Sequence, residues 1–190
     1  MRHNGSVEPG TSLRGQLLIA APSLTDPNFR KTVVLIAEHN EDGAMGLVLN
    51  RKSPALVADA APQVAELAGE GARVFVGGPV DRSSMFVLAD FEEPDEAGSI
   101  VLLDVGFVDP QSAAQLGERA TRAARVFAGY AGWGPGQLEG ELAEDAWIVE
   151  EPDDGDIFGA DPDGLWARVL RRKGGQYGVM ALMPDDPGLN

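Results

Sequence analysis

Apolar residues in this chain fall mostly in short, dense runs broken by Gly, Pro, Asn and Asp, the pattern of strands separated by turns. GQLLIAAPSL is the first such run; Pro22 stops it, and it reads as a strand. TVVLIAEHNEDGAMGLVLNR is the clearest. Val33, Val34 and Ile36 favour extended backbone, Asn40-Glu41-Asp42-Gly43 is a turn, and Gly46 to Leu49 is apolar again, which predicts a hairpin. Both arms are nearly continuous in apolar residues, so both faces are expected to be covered. Further strands are predicted at 73–76, 85–88, 100–103, 125–128 and 146–149. The short link through Gly77-Gly78-Pro79 predicts that 73–76 and 85–88 pair antiparallel with each other, because a parallel crossover needs about a dozen residues or more.

Helical spacing is rarer. Leu56, Ala60, Val64 and Leu67 make a stripe that Pro62 interrupts, predicting two short helical turns. Asp109-Pro110 has the form of an N-cap followed by proline in the first turn, and Ala113, Leu116, Ala120 and Ala123/Ala124 continue it as a helix. Residues 165–173 form another helix, and 177–182 a short last strand or extended tail. The stretch GYAGWGPGQLEGEL, residues 129–142, places four glycines between a strand and a helix, the order of a phosphate loop. Its spacing fits neither GxGxxG nor GxxxxGK, no Lys-Ser or Lys-Thr follows, and Glu139 and Glu141 occupy the turns where phosphate charge would arrive. It therefore reads as a strand-to-helix turn whose carboxylates complement the helix dipole, with Trp133 and Tyr130 packing a core corner or lining a pocket. Strand pairs mixed with single helices indicate an α+β fold with a mixed or mostly antiparallel sheet: a flexible tail over 1–14, then one domain over 15–190.

Thirty acidic residues against fifteen basic ones give a formal charge of −15, a field that repels phosphate backbones, so direct nucleic-acid binding is not expected. Basic residues gather at Arg30/Lys31, Arg51/Lys52, Arg119/Arg122/Arg125 and Arg168/Arg171/Arg172/Lys173; the last two groups have helical spacing and read as solvated faces, and the acidic run Asp153, Asp154, Asp156, Asp161 and Asp163 as a solvated loop. No apolar run is long enough for a membrane helix, no signal-peptide pattern opens the chain, and cysteine is absent, which together point to the cytoplasm and exclude disulfides and thiol chemistry.

Candidate chemistry is sparse. His39 is the sole histidine beyond the tail, so proton transfer near neutral pH would rest on it or on a carboxylate such as Glu38, with Asp42 and Asn50 nearby in the hairpin; a histidine that only tightens the turn is the alternative. There is no GxSxG elbow, no HExxH and no calcium-loop spacing among Asp153, Asp154, Asp156, Asp161 and Asp163. No metal and no cofactor is expected.

Three motifs in one order, GQLLIAAPSLTDPNFRKTVVLIAEHNEDGAMGLVLNR, VFVGGPVDRSSMFVL and FAGYAGWGPGQLEGEL followed by AWIV, with a closing PDDPGLN, resemble the YqgE/AlgH family of bacterial proteins over residues 15–190. The resemblance implies a single α+β domain with a branched, strongly curved sheet flanked by helices. It implies no established activity, although some members carry the name of transcriptional regulator. The matching positions include Asn28, Phe29, His39, Gly43, Gly46, Asn50, Gly77, Gly78, Pro79, Trp133, Gly136, Gln137 and Trp147. Glycines and aromatics among them have steric reasons to be there. The amides Asn28, Asn50 and Gln137 either fasten loops by hydrogen bonds or face a cleft. The expected function is therefore a non-catalytic, regulatory protein holding a protein or small-molecule partner between the hairpin and the Trp133 loop, with Asn28, His39, Asn50, Trp133 and Gln137 as the contact residues; the alternative is a small-substrate hydrolase using His39 or Glu38 as base.

Overall fold

The computed structural model describes residues 11–109, 113, 115–116 and 120–182. The apolar runs become strands β1 (Leu17–Ala20), β2 (Val33–Asn40), β3 (Gly43–Val48), β4 (Lys52–Leu56), β5 (Arg73–Val76), β6 (Val80–Phe91), β7 (Ser99–Leu102), β8 (Val105–Phe107), β9 (Thr121–Trp133) and β10 (Trp147–Glu150). Helices are short: α1 (Val57–Ala60), α2 (Ala65–Ala68), α3 (Gln137–Ala143), α4 (Leu165–Lys173) and α5 (Gln176–Met180). The strands join in one open sheet, in the order β10, β1, β2, β3, β9, β6, β8, β7, with β4 and β5 branching from it. All pairings are antiparallel except β5 with β9.

β9 is the branch point. One edge carries β6 from Tyr130 back to Thr121. On the opposite edge, Ala131–Trp133 pair with β3 and Phe127–Ala128 with β5, so two strands share it in succession. The Val48 N–H donates to the Gly77 carbonyl at 2.8 Å and ties the two branches together. The expected β5–β6 hairpin does not form. Those strands flank β9 from opposite sides, and the link between them crosses the β9 backbone. Gly77 and Gly78 make the crossing possible: a Cβ on Gly77 would collide with the Gly129 carbonyl oxygen, and one on Gly78 with the Tyr130 backbone.

The hairpin is where it was expected, closed by Glu41-Asp42 with the Asp42 N–H donating to Asn40 Oδ1 at 2.8 Å. Both of its faces are covered. Along β2, Val33, Leu35 and Ala37 enter one core with Leu17 and Ile19 of β1, under Leu165, Trp166, Val169 and Leu170 of α4. Val34 and Ile36 enter a second core with Trp133, Leu138 and Trp147. Period-two alternation thus feeds two layers from one apolar run. Each fully buried leucine or isoleucine contributes about 1.5–3 kcal/mol, so this double use of β1 and β2 is the main apolar investment of the fold. A third cluster joins Val57 and Val64 to Phe91 of β6 and Val126 of β9.

Several expectations change. Residues 121–124 belong to β9 rather than to a helix from Asp109, paired with β6 through Asp90↔Ala123 and Ala89↔Ala124; most of the remaining expected helix lies outside the described residues. Pairing with a long neighbour overrides the helical preference of Ala and Arg. Arg122 and Arg125 consequently share no helical face. Arg122 meets Asp90 (2.6 Å), Asp104 (3.3 Å) and Glu92 (3.4 Å), whereas Arg125 points inward to the carbonyls of Ile157 (2.6 Å) and Gly159. Residues 129–133, expected as turn, extend β9, and 176–180 are helical. β4 and β8 lacked a readable signal: β4 contains Pro54, tolerated because only its β5 side is paired, and β8 is three residues long.

The acidic run is not uniformly solvated either. Asp156 is 2% exposed, accepts from the Asp153 N–H at 2.9 Å and pairs with Arg172 of α4 at 2.8 Å. Residues 11–14, the described part of the expected tail, are tied down: Leu13 is buried and Ser12 Oγ donates to the His39 carbonyl at 3.0 Å. No helix among the described residues is long and apolar enough to cross a membrane.

Candidate functional site

His39 sits near the end of β2, and its ring is occupied on both sides. Nδ1 accepts the Leu13 N–H at 2.9 Å, which places the ring proton on Nε2, and Nε2–H donates to Glu139 Oε1 at 2.8 Å. The imidazole therefore straps the N-terminal segment and α3 to the hairpin. The N–H of Glu139's own backbone and then the His39 ring hold the Glu139 carboxyl below its ordinary value. That contact is why an acid stands in the first turn of α3: it answers a histidine rather than repelling a phosphate.

Trp133, at the end of β9, is 5% exposed, and its indole N–H donates to Glu141 Oε2 at 2.9 Å. Trp147 of β10 donates to the same oxygen at 2.8 Å. Gln137 closes the arrangement: its Oε1 accepts the Gly134 N–H at 3.1 Å and its Nε2 donates to Glu141 Oε1 at 3.0 Å. Phe29 completes the packing, stacked on Trp133 with centroids 6.2 Å apart and edge-on to Trp147 at 5.6 Å. Glu141 is the node that sequence reasoning treated only as a dipole partner. Its signal was the spacing of Trp133, Gln137 and Glu141 at successive steps of four ahead of a second tryptophan.

Asn50 and Asn28 lie at another place. Asn50 Oδ1 accepts the Val33 N–H at 3.0 Å and its Nδ2 donates to the Lys31 carbonyl at 2.9 Å, pinning the start of β2 to the end of β3. Asn28 is half-buried in the β1–β2 connection, where its backbone N–H donates to Asp26 Oδ1 at 2.7 Å. The five candidates thus do not line one pocket. Asn50 and Gln137 fasten loops, as one of their two readings held, and His39 does the same.

Of the candidate catalytic and contact residues, Trp133 and Glu38 do line a cleft. It has a volume of about 1030 Å³ and lies over β9, with the β2–β3 hairpin on one side and β6 and β8 on the other. Its apolar lining includes Met45, Met85, Phe86, Phe107 and Tyr130. The Phe86 ring is 6.1 Å from Phe107 and edge-on to Tyr130 at 5.8 Å, which forms an aromatic patch. Gly132 pairs with Met45 and, having no side chain, leaves the β9 stretch of the cleft open. Met85 and Val80 are each 37% exposed, and Glu38 and Asp42 place carboxylates on the hairpin side. Sequence reasoning missed Met45, Met85, Phe86 and Phe107 because they lie on three strands, β3, β6 and β8, and nothing local to any one of them shows that the fold gathers them around β9.

A family model described as AlgH-like matches residues 17–178. A UPF0301 protein of Streptomyces coelicolor is 46% identical, over 95% of this chain and 96% of its own length. One from Thermobifida fusca is 42% identical, over 94% and 96%. The crystal structure of a Corynebacterium diphtheriae protein superposes with a TM-score of 0.82 at 24% identity, covering 96% of this chain and 95% of that one, a likeness of fold. The solution structure of the AlgH protein from Pseudomonas aeruginosa gives 0.69 at 30% identity, covering 98% and 100%. With its three motifs, its branched sheet and a family model running almost its whole length, the chain belongs to the AlgH-like family.

Proposed function

We propose that this protein is a regulatory binding protein whose cleft over β9 holds an apolar segment of a partner polypeptide flanked by basic residues. The observation that carries the reading is the aromatic and methionine lining of the cleft, exposed Met85 beside half-buried Met45, Phe86, Phe107 and Tyr130, in a volume of about 1030 Å³. Concave apolar surface with a few polar groups is where proteins take ligands, and methionine adapts to varied apolar shapes. Glu38 and Asp42 beside it, on a chain of net charge −15, favour a partner carrying Lys or Arg next to its apolar anchors. Any regulatory effect then runs through that partner, because the field that attracts a basic peptide repels a duplex.

The hydrolase reading is less well supported. His39 has its Nδ1 lone pair taken by a backbone N–H and its Nε2 proton given to Glu139. Selection from a library of displayed peptides on the full chain tests the proposal. Ligands combining apolar residues with Lys or Arg are expected, and Met85→Asp, at an exposed position, should weaken them at least tenfold, about 1.4 kcal/mol. Ligands that bind Met85→Asp and the unaltered protein equally would refute the site. Turnover of a small ester or amide lost on Glu38→Gln would replace the binder with an enzyme.

A further inference from the structure

Away from that cleft, the connection from β1 to β2 folds against the end of β3 and encloses a separate pocket of about 430 Å³, lined by Thr25, Pro27, Arg30, Lys31 and Arg51. Thirty acidic residues surround fifteen basic ones in this sequence, so three cations lining one small hollow run against the field of the molecule. The fold builds the convergence. Asn50 holds the Lys31 carbonyl and the Val33 N–H, so the Arg30-Lys31 pair is fixed beside Arg51. Lys31 itself has a φ of 54°, in the left-handed region that favours glycine, and its Nζ lies 5.1 Å from the centroid of the Trp166 ring.

Arg51 is preorganised. Its Nη1 donates to the Pro27 carbonyl at 2.8 Å and its Nη2 to the Arg30 carbonyl at 3.1 Å. A guanidinium carries five N–H donors, so three remain beyond these two contacts. Burial, and after it the nearby charges of Arg30 and Arg82, push the Arg51 pKa down, with Asp26 acting the other way. Crowded guanidinium charge of this kind is relieved when an anion enters. The fork of arginine matches the tetrahedral oxygens of a phosphoryl group, and a threonine hydroxyl and an ammonium add donors of the right kind.

We infer that this pocket binds the phosphoryl group of a small phosphorylated molecule, with Arg51 as the fork, Arg30 and Lys31 as counter-charges and Thr25 as a further donor. The occupant is small. A polyanionic duplex laid on the same face would meet the acidic field of the rest of the surface, whereas a mononucleotide or sugar phosphate fits a pocket of this volume. The inference is independent of the cleft over β9 and stands or falls separately.

Isothermal titration of the full chain with inorganic phosphate, pyrophosphate and AMP, in chloride buffer at about 0.15 M ionic strength, tests it. Saturable one-to-one binding of at least one probe is expected, with Arg30→Gln, at an exposed position, weakening it at least tenfold and Arg171→Gln, exposed on α4, leaving it unchanged. AMP above phosphate would show that the organic part is held; pyrophosphate above both would show a site for two phosphoryl groups. Arg51→Lys keeps the charge and removes the fork, so it too should weaken binding at least tenfold in protein whose circular dichroism is native. Absence of saturation by all three probes below about 1 mM, or equal weakening by Arg30→Gln and Arg171→Gln, would overturn the site.

Discussion

Glu141 illustrates how much one side chain organises here. Its carboxylate accepts from Trp133, Trp147 and Gln137, and both indoles are nearly out of solvent at 5% and 3% exposure. Removing the shared acceptor leaves two buried N–H donors without their partner, at about 1–3 kcal/mol each. Glu141→Ala is expected to lower stability by about 2–4 kcal/mol in urea unfolding, and Glu141→Gln by less, since its amide oxygen still accepts. Glu139 gives a pH-dependent counterpart. Its carboxyl is held below the ordinary 4.5, so its contribution is complete above that value and is lost as pH falls through the lower folded one. The side chain is 55% exposed and the effect is modest, but its sign is fixed. Wild type should lose more stability than Glu139→Gln on acidification through that range, as followed by thermal melts.

At the scale of elements, β9 decides the architecture. Both edges of the strand are paired, and its inward side chains feed different clusters: Phe127 the one under α4, Val126 the one against α1 and α2. The two halves of the sheet therefore share one strand and should unfold together. Phe127 is fully buried and lies 5.6 Å from Phe75 across the parallel pair. Phe127→Ala should cost about 3–5 kcal/mol. Tryptophan fluorescence, which reports β9, β10 and α4, and far-ultraviolet circular dichroism, which reports all strands, should still give one coincident transition. Separate midpoints would mean that the branches are independent units. The Gly77-Gly78 crossing is a local consequence of the same strand being bounded on both sides.

For the molecule as a whole, charge matters most. Fifteen excess negative charges repel one another in the folded state, and ion pairs such as Arg172–Asp156 and Lys173–Glu150 offset only part of this. The screening length falls from about 30 Å at 0.01 M salt to about 10 Å at 0.1 M. Long-range repulsion is screened more than the close, partly buried pairs, so the melting temperature is expected to rise over that salt range. A flat or falling midpoint would mean that attractive pairs dominate the field. The same imbalance bears on both proposals, because an acidic field favours cationic partners beside Glu38 and Asp42 and makes the three cations lining one pocket, Arg30, Lys31 and Arg51, an exception to the charge of the chain.

Local chemistry was legible in the sequence wherever it acts over a few residues. An apolar run stopped by Pro22 specifies β1, β-branched Val33, Val34 and Ile36 specify β2, and Asn40 through Gly43 the hairpin turn; three ordered motifs carry the family. The steric reason for Gly77 and Gly78 was legible in kind, though not the backbone they approach. Tertiary structure alone decided three things. Residues 121–124 became strand because β6 offered them partners, which outweighs an alanine-rich helical preference worth only tenths of a kcal/mol per residue. The candidates His39 and Asn50 became fasteners because their hydrogen-bond partners, Leu13, Glu139, Lys31 and Val33, are brought to them by the fold, whereas Gln137 bonds Gly134 and Glu141 within its own turn and helix. The cleft exists only where β3, β6 and β8 meet around β9, and the basic pocket only where the β1–β2 connection lies against Arg51, since which side chains meet across a fold is set by strand register, and a single strand read alone carries no register.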